Sequence, residues 1–428
     1  MRRLLLSLTC LLAAALAAPA VASAVTTGQC LLRASGPSCH VWTGKVTYIA
    51  DADTIYVDVD GDGRRTTERV RITGINATEQ YTYPRRASLR RGECHAVEAT
   101  ARLERLLRRG RMRVRLIAQD PESRSGVRLR RSIAVRYGGR WRDVGRTLLA
   151  EGHAVWLPNR REHAWNRDYH ILANRAARAQ RNLWDPDYCG AGPHLGAAPL
   201  LRVNWDADGN DHIDPNGEWV RIINPDPVSS LSLAGWWLRD SALRRLTFPE
   251  WATVPPGGAI TVFAGEGDST DTEFFWGLRS APFDNVTPDP FNMGDGAYLL
   301  DPQGDVRASA TYPCREACTD PNQGALQLSA RYRGQREVVE IANVGGLPVD
   351  LEPYRLTSRP WGYSFASGSI VQPGETMRVR VGDADEEGPL LRYWPTPGPI
   401  LNNGGDSVQL RRYDDVEIAC TAWGSYSC

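Results

Sequence analysis

Val70-Arg71-Ile72-Thr73-Gly74-Ile75-Asn76-Ala77-Thr78-Glu79 alternates like a strand and then runs into a short polar segment ending in a carboxylate. Its neighbours decide how the first part of the chain folds. Residues 54–59 set Ile55, Val57 and Val59 against Thr54, Tyr56 and Asp58, the period-two pattern of a half-buried strand. Residues 46–49 form a shorter strand before it, and Asp60-Gly61-Asp62-Gly63 supplies the turn before the pattern resumes over 68–75. The three segments predict a curled hairpin. A helix is expected over 96–109, with Ala99, Leu103 and Leu106 on one side and Gly110 to end it. Strands over 111–117 and 132–137 follow, then helices over 144–151 and 168–182. That order predicts an OB-fold-like β-barrel with packed helices, an α+β domain.

If the two strands are neighbours, Asp53 and Asn76 converge on one mouth of the barrel. A carboxylate and an amide oxygen there could hold a hard cation such as Ca²⁺, completed by a backbone carbonyl, water and a substrate phosphate. A phosphodiester is an anion that gains charge in the transition state. Fixed guanidinium groups answer that need, because arginine stays charged and forks onto two phosphate oxygens. Arg71 and Arg131 are the candidates for that clamp, and Glu79 is placed to accept a proton from a water or to orient it. Each of these residues, taken singly, is also what an arginine-rich surface would carry.

Residues 44–184 resemble the thermonuclease (staphylococcal-nuclease-like) family. Asp51-Ala52-Asp53-Thr54 is similar to its Asp-Gly-Asp-Thr signature, residues 70–79 to its strand ending in Asp-x-Pro-Glu, Arg131-Ser132-Ile133-Ala134-Val135 to the strand with its second arginine, and Asn182-Leu183-Trp184 to its usual end. The resemblance implies Ca²⁺-dependent hydrolysis of DNA or RNA to leave 3′-phosphate ends. It implies Asp53, Asn76 and the Ala77 carbonyl as metal ligands, and Arg71, Glu79 and Arg131 as catalytic residues. Three positions depart from the pattern. Asn76 stands where the family has a second Asp, Thr78 stands for its proline, and residues 124–131 lack the Asp-x-Tyr-Gly-Arg run. A domain that binds nucleic acid extracellularly, or serves adhesion, with weakened catalysis is therefore the alternative.

The charge distribution agrees with a polyanionic partner. Residues 25–190 hold 31 Lys and Arg against 18 Asp and Glu, formally +13, whereas residues 191–428 hold 18 against 32, formally −14. Residues 1–24 have a signal peptide's pattern, with Arg2 and Arg3, an apolar run and Ala22-Ser23-Ala24, so a secreted protein, possible surface association, and no transmembrane segment are expected. Cleavage would leave eight cysteines, an even set suited to disulfides, with Cys314/Cys318 and Cys420/Cys428 close enough for local bridges. A monomer is the expectation.

The remainder is β-rich and repeats itself. Residues 217–224, 233–240, 256–258 and 292–299 recur in order as 337–343, 349–356, 373–375 and 402–410. The repeat resembles the lamin-tail domain, an immunoglobulin-like sandwich, and the second copy replaces the tryptophan-bearing element with Tyr354. The resemblance implies accessory binding or spacing modules, with a cell-wall or surface ligand conceivable and no catalytic residue. The expected division is a signal at 1–24, an N-terminal extension at 25–43, the thermonuclease-like domain at 44–189, a linker at 190–200, a first lamin-tail-like module at 201–313, a linker at 314–326 and a second module at 327–428.

Overall fold

The computed structural model describes residues 25–32, 36–64, 66–80, 92–190, 196–206, 211, 213–288, 290–291, 293–333, 336–382 and 387–428. The expected signal at 1–24 lies outside the described residues, as do residues 191–195 of the expected first linker. The chain is mostly β, with a five-stranded barrel in its N-terminal part and few helices.

The first elements are β1 (Thr26–Gln29), β2 (Ser38–Ile49), β3 (Thr54–Val59), β4 (Glu68–Ile72) and β5 (Ile75–Asn76). After them come α1 (Ala96–Arg109), β6 (Arg113–Ala118), β7 (Arg124–Ser125), β8 (Arg128–Tyr137) and β9 (Arg140–Asp143). The last are α2 (Val144–Ala150), β10 (Val155–Trp156) and α3 (Asn166–Arg178). Strands β2, β3, β4, β8 and β6 lie side by side in that order, and β6 pairs back onto β2, which closes the barrel. The β4–β8 pair is parallel and the other barrel pairs are antiparallel.

Several expected boundaries shift: β8 begins at Arg128 rather than 132, β6 spans Arg113–Ala118 rather than 111–117, α3 spans Asn166–Arg178 rather than 168–182, and two further shifts shape the site. Strand β2 begins at Ser38, inside the segment expected to be an extension, because His40 to Lys45 pair with β6 and that pairing closes the barrel. The Cys30–Cys39 disulfide then ties β1 onto it. The expected single strand over 68–75 breaks after Ile72. Gly74 turns there with φ of 77°, and a Cβ at this position would lie 2.6 Å from the Tyr169 ring, so only glycine fits. The turn hands the chain to β5, which leaves the barrel and pairs with β10.

Helix α1 buries Ala96, Ala99, Leu103, Leu106 and Leu107, the face its spacing predicts, and carries Glu98 in its first turn and Arg108 and Arg109 in its last. Its start is held by the Cys94–Cys189 disulfide and by a stacked pair, His95 and His153, whose ring nitrogens lie 2.9 Å apart. Burial, and next the His95 charge, hold His153 down at about 4. A folded value below the unfolded 6.5 means that the unfolded chain takes up this proton first. Stability is thus expected to be full above pH 6.5 and to fall by about 3 kcal/mol as pH drops from there toward 4. Denaturant melts across that window should show the loss in the wild type and a much flatter curve in His153→Gln.

The C-terminal part holds two sandwiches with the same strand order. In the first, Leu200–Asn204, Trp219–Ile223, Ala259–Phe263 and Glu273–Phe275 form one sheet, and Arg245–Thr247, Trp237–Asp240, Gly296–Leu300 and Val306–Thr311 form the other. In the second, Leu326–Arg331, Val338–Asn343, Thr376–Val381 and Leu391–Trp394 face Trp361–Ser364, Tyr354–Ser358, Asp406–Arg412 and Glu417–Trp423. The repeated acidic and amide residues have the same structural work in both copies. Glu218 accepts the Phe283 N–H and Glu337 those of Ile400 and Leu401, while Asn224 and Asn343 donate to turn carbonyls. Trp219, Trp236 and Trp237 are buried rather than displayed. The remaining disulfides are Cys314–Cys318 and Cys420–Cys428, and no described helix is long and apolar enough to cross a membrane.

The barrel domain and the first sandwich share a core. Val155, Ala176, Leu183 and Trp184 pack with Trp237, Tyr298, Leu300 and Val306 in one apolar cluster. The β10 strand that backs β5 is thus held from the other side by the sandwich.

Candidate active site

The β3–β4 register sets Thr54 opposite Arg71, and the Ile72 N–H donates to the Asp53 carbonyl at 2.7 Å. Asp53 and Arg71 are thereby brought together at the end of the strand pair. Their side chains form a buried ion pair, with Arg71 Nη1 2.6 Å from Asp53 Oδ1 and the residues 5% and 1% exposed. Thr54 Oγ1 also donates to Asp53 Oδ1, at 2.9 Å, and the Ala77 N–H donates to Asp53 Oδ2, also at 2.9 Å. Asp53 thus organises both strand ends. It can do so because a carboxylate offers about four acceptor sites.

Glu79 follows two residues later and is only partly buried. Its N–H donates to Glu93 Oε2 at 2.8 Å, and the Glu93 N–H returns a bond to the Glu79 carbonyl at 2.8 Å. Burial pushes the Glu79 carboxyl up, Asp53 adds to the rise, and Arg71 opposes it. Asp51, whose Oδ1 accepts the Asp53 N–H at 3.0 Å, is pushed up to about 7 by burial and by the Asp53 charge. The Asp53 charge thus raises the proton affinity of both Asp51 and Glu79, with Arg71 as the counter-charge on Asp53.

Two predicted site residues sit differently from the sequence expectation. Arg131 is away from Arg71: its guanidinium lies 4.6 Å from the Trp42 ring centre and donates to the carbonyls of Pro121 and Arg130, each at 2.7 Å. The cause is strand alternation. Arg71 is in register with Arg130 on the parallel neighbour, so the β8 arginines on its face are Arg128 and Arg130, and Arg131 points the other way. Arg128 Nη1 donates to Thr54 Oγ1 at 3.1 Å, and its charge is felt by Glu79. The period-two rule applied to residues 128–131 would have found it. The other is Asn76, whose Nδ2 donates to the Ser241 carbonyl of the first sandwich at 2.7 Å. No sequence signal within the barrel domain points to that contact.

The donor chemistry suits a hard cation. Asp51 and Asp53 supply carboxylate oxygens, and Asn76 Oδ1 is buried with no hydrogen-bond partner among the described residues. Oxygen-only donors of this kind fit Ca²⁺ better than a softer metal. Among the described residues no three His, Cys, Asp or Glu side chains converge on one point, so the amide oxygen would be needed. For Ala77 the contact made is through its N–H, to Asp53.

Of the larger cavities, one of about 520 Å³ lies beside Arg131 and Trp42, on the far side of β8 from Arg71. It is lined by acidic residues, Asp62, Glu68 and Glu122, as well as by arginines. The charge balance there is mixed. No curated protein matches the chain. Residues 202–314 match the family model of the Lamin Tail Domain, which makes the immunoglobulin-like first sandwich, the module bonded to Asn76, the part of the chain whose family is recognised.

Proposed function

We propose that the barrel domain is a secreted nuclease that hydrolyses phosphodiester bonds in DNA or RNA with the help of Ca²⁺, leaving 3′-phosphate ends. The observation that carries this reading is the buried Asp53–Arg71 pair with Glu79 and Arg128 beside it, set on the most basic part of the chain. The barrel's strand order, with its parallel β4–β8 pair and its β6–β2 closure, fits an OB-fold, a scaffold suited to binding oligonucleotides across its strands.

In this account Arg71 and Arg128 bind the phosphate oxygens, and Arg128 replaces Arg131 as the second arginine of the clamp. Asp53 keeps Arg71 from swinging away by its ion pair. Glu79, with its raised proton affinity, takes one proton from the attacking water. The water oxygen bonds to phosphorus, the bond from phosphorus to the 5′ oxygen breaks, and solvent protonates the leaving oxygen. Asp51, Asp53 and the Asn76 Oδ1 atom would hold Ca²⁺, which when bound supplies positive charge against the phosphate.

One observation favours a second reading, extracellular nucleic-acid binding without turnover. Asn76 has an amide tied to Ser241 where a further carboxylate would strengthen a cation site. The full chain lacking residues 1–24 separates the two. Incubated with single-stranded DNA, it is expected to cleave in Ca²⁺ and to stop in excess chelator, with activity restored by added Ca²⁺. Salt-sensitive binding with no cleavage in any Ca²⁺ concentration would favour the second reading.

A further inference from the structure

The loop between two strands of the first sandwich reaches into the neighbourhood of the candidate site at several points. Ser241, immediately after strand Trp237–Asp240, accepts the Asn76 amide at 2.7 Å. Arg245, the first residue of strand Arg245–Thr247, stacks 3.8 Å over the Trp237 ring and lies 3.9 Å from Glu93 Oε1. The other oxygen of Glu93 takes the Glu79 N–H. Arg239, 3% exposed, donates to the Asp240 carbonyl at 3.0 Å, and its charge interacts with Glu93 and Arg71.

The hairpin is itself stiff. Asp240 is fully buried and accepts the Arg244 N–H at 2.8 Å, while Trp237 is buried in the core shared with Val155. Val155 in turn pairs with Asn76 across β10 and β5. Asn76 is thus held from its backbone by a strand that leans on the sandwich, and from its side chain by the sandwich's own carbonyl.

We infer that hairpin 237–247 of the first sandwich is a built-in wall of the barrel's site, with the Ser241 carbonyl and Arg245 acting as positioning groups for Asn76 and Glu79. A carbonyl oxygen accepts and cannot donate, so residue 76 must bring an N–H to meet it. An aspartate there would face the carbonyl with a second acceptor, leaving the Ser241 carbonyl only its long 3.5 Å bond from Arg239 Nη2 and the buried carboxylate without that donor. The amide gives the module its donor while leaving one oxygen, Oδ1, directed elsewhere. Residue 76 is asparagine for the sake of the joint between the two domains. The module is then part of the site rather than a tethered accessory.

The kinetic part of this inference rests on the nuclease reading, and the structural part does not. Amide hydrogen exchange on the full chain lacking residues 1–24 measures the joint directly, comparing wild type with Asn76→Ser, Asn76→Asp and Arg245→Met. Both Asn76 variants are expected to speed exchange in 71–79 and in 237–247 together, by about tenfold or more, the factor that goes with loss of one buried hydrogen bond. Arg245→Met is expected to speed exchange at Glu79 and Glu93 while sparing the barrel strands. In cleavage assays the same variants should lose kcat by about tenfold with KM nearly unchanged, as expected for a displaced reacting group. Unchanged exchange in 237–247 in the Asn76 variants overturns the inference, as does faster cleavage by Asn76→Asp. Coupled exchange in a chain that never cleaves supports the joint and refutes the nuclease reading. Should Asn76→Asp not fold, Asn76→Ser and Arg245→Met carry the same comparison.

Discussion

Arg71→Ala is expected to lower the stability of the barrel domain by about 3–5 kcal/mol, because it leaves the Asp53 carboxylate buried without its cation. Asp53 would keep two hydrogen bonds, from Thr54 Oγ1 and the Ala77 N–H, and neither brings a full charge. The loss should be partly recovered at low pH, where the abandoned carboxylate is neutral. Cleavage should fall at least about a hundredfold, the scale for removing one positioned donor from a charge-stabilising site. Arg71→Lys separates the two effects. It keeps the charge near Asp53 and should recover much of the stability, but a single ammonium cannot fork onto two phosphate oxygens and turnover should stay low. Urea melts and initial rates on one oligonucleotide measure both.

Glu79→Gln has the opposite signature, a loss of turnover with the fold intact. The side chain is only partly buried, the Glu79 backbone bonds to Glu93 do not involve it, and glutamine is nearly the same size. Stability should change by less than about 1 kcal/mol, as for a substitution that opens no cavity and strands no buried charge. The amide cannot accept a proton from water, so kcat should fall by about 10² to 10⁴. KM should move little, since Arg71 and Arg128 rather than Glu79 hold the phosphate. A variant that melts early would place Glu79 among the structural residues, and one that cleaves normally would remove it from the chemistry.

The barrel was legible in the sequence because its strands alternate and its turns carry glycine and aspartate. Helix α1 matches its expected limits, since Ala99, Leu103 and Leu106 repeat on one face and Gly110 ends it. Strand adjacency predicted Asp53 beside Asn76; the ion pair that adjacency makes is instead Asp53–Arg71, set by the register of Thr54 opposite Arg71. The start of the barrel was not legible. Ser38 to Val41 alternate exposed and buried, but the run is short and breaks at Trp42 and Thr43, and its strand is fixed by closure against β6, a pairing distant in sequence. Arg131 shows a different limit. Its position relative to Ala134 suggested a role, but the face of β8 is set by its parallel register with β4, which puts Arg128 and Arg130 on the side of Arg71. Asn76 was legible as a departure and opaque as to cause, because its partner is Ser241, 165 positions later and in another domain. The repeat, by contrast, was visible in residue spacing alone and recurs as the same strand order twice. Its buried Glu218 and Glu337 explain why acidic residues recur there without marking a site.

These contacts also change the meaning of the lamin-tail match. A module joined to its neighbour by a shared apolar core and a buried hydrogen bond is expected to move with it.

The most direct measurement is the cleavage of a 5′-labelled single-stranded oligonucleotide in Ca²⁺ by the full chain lacking residues 1–24, with the product ends identified. Fragments bearing 3′-phosphates are expected with the wild type and almost none with Arg71→Ala or Glu79→Gln. Intact oligonucleotide with the wild type, or equal cleavage by all three proteins, would contradict the nuclease reading.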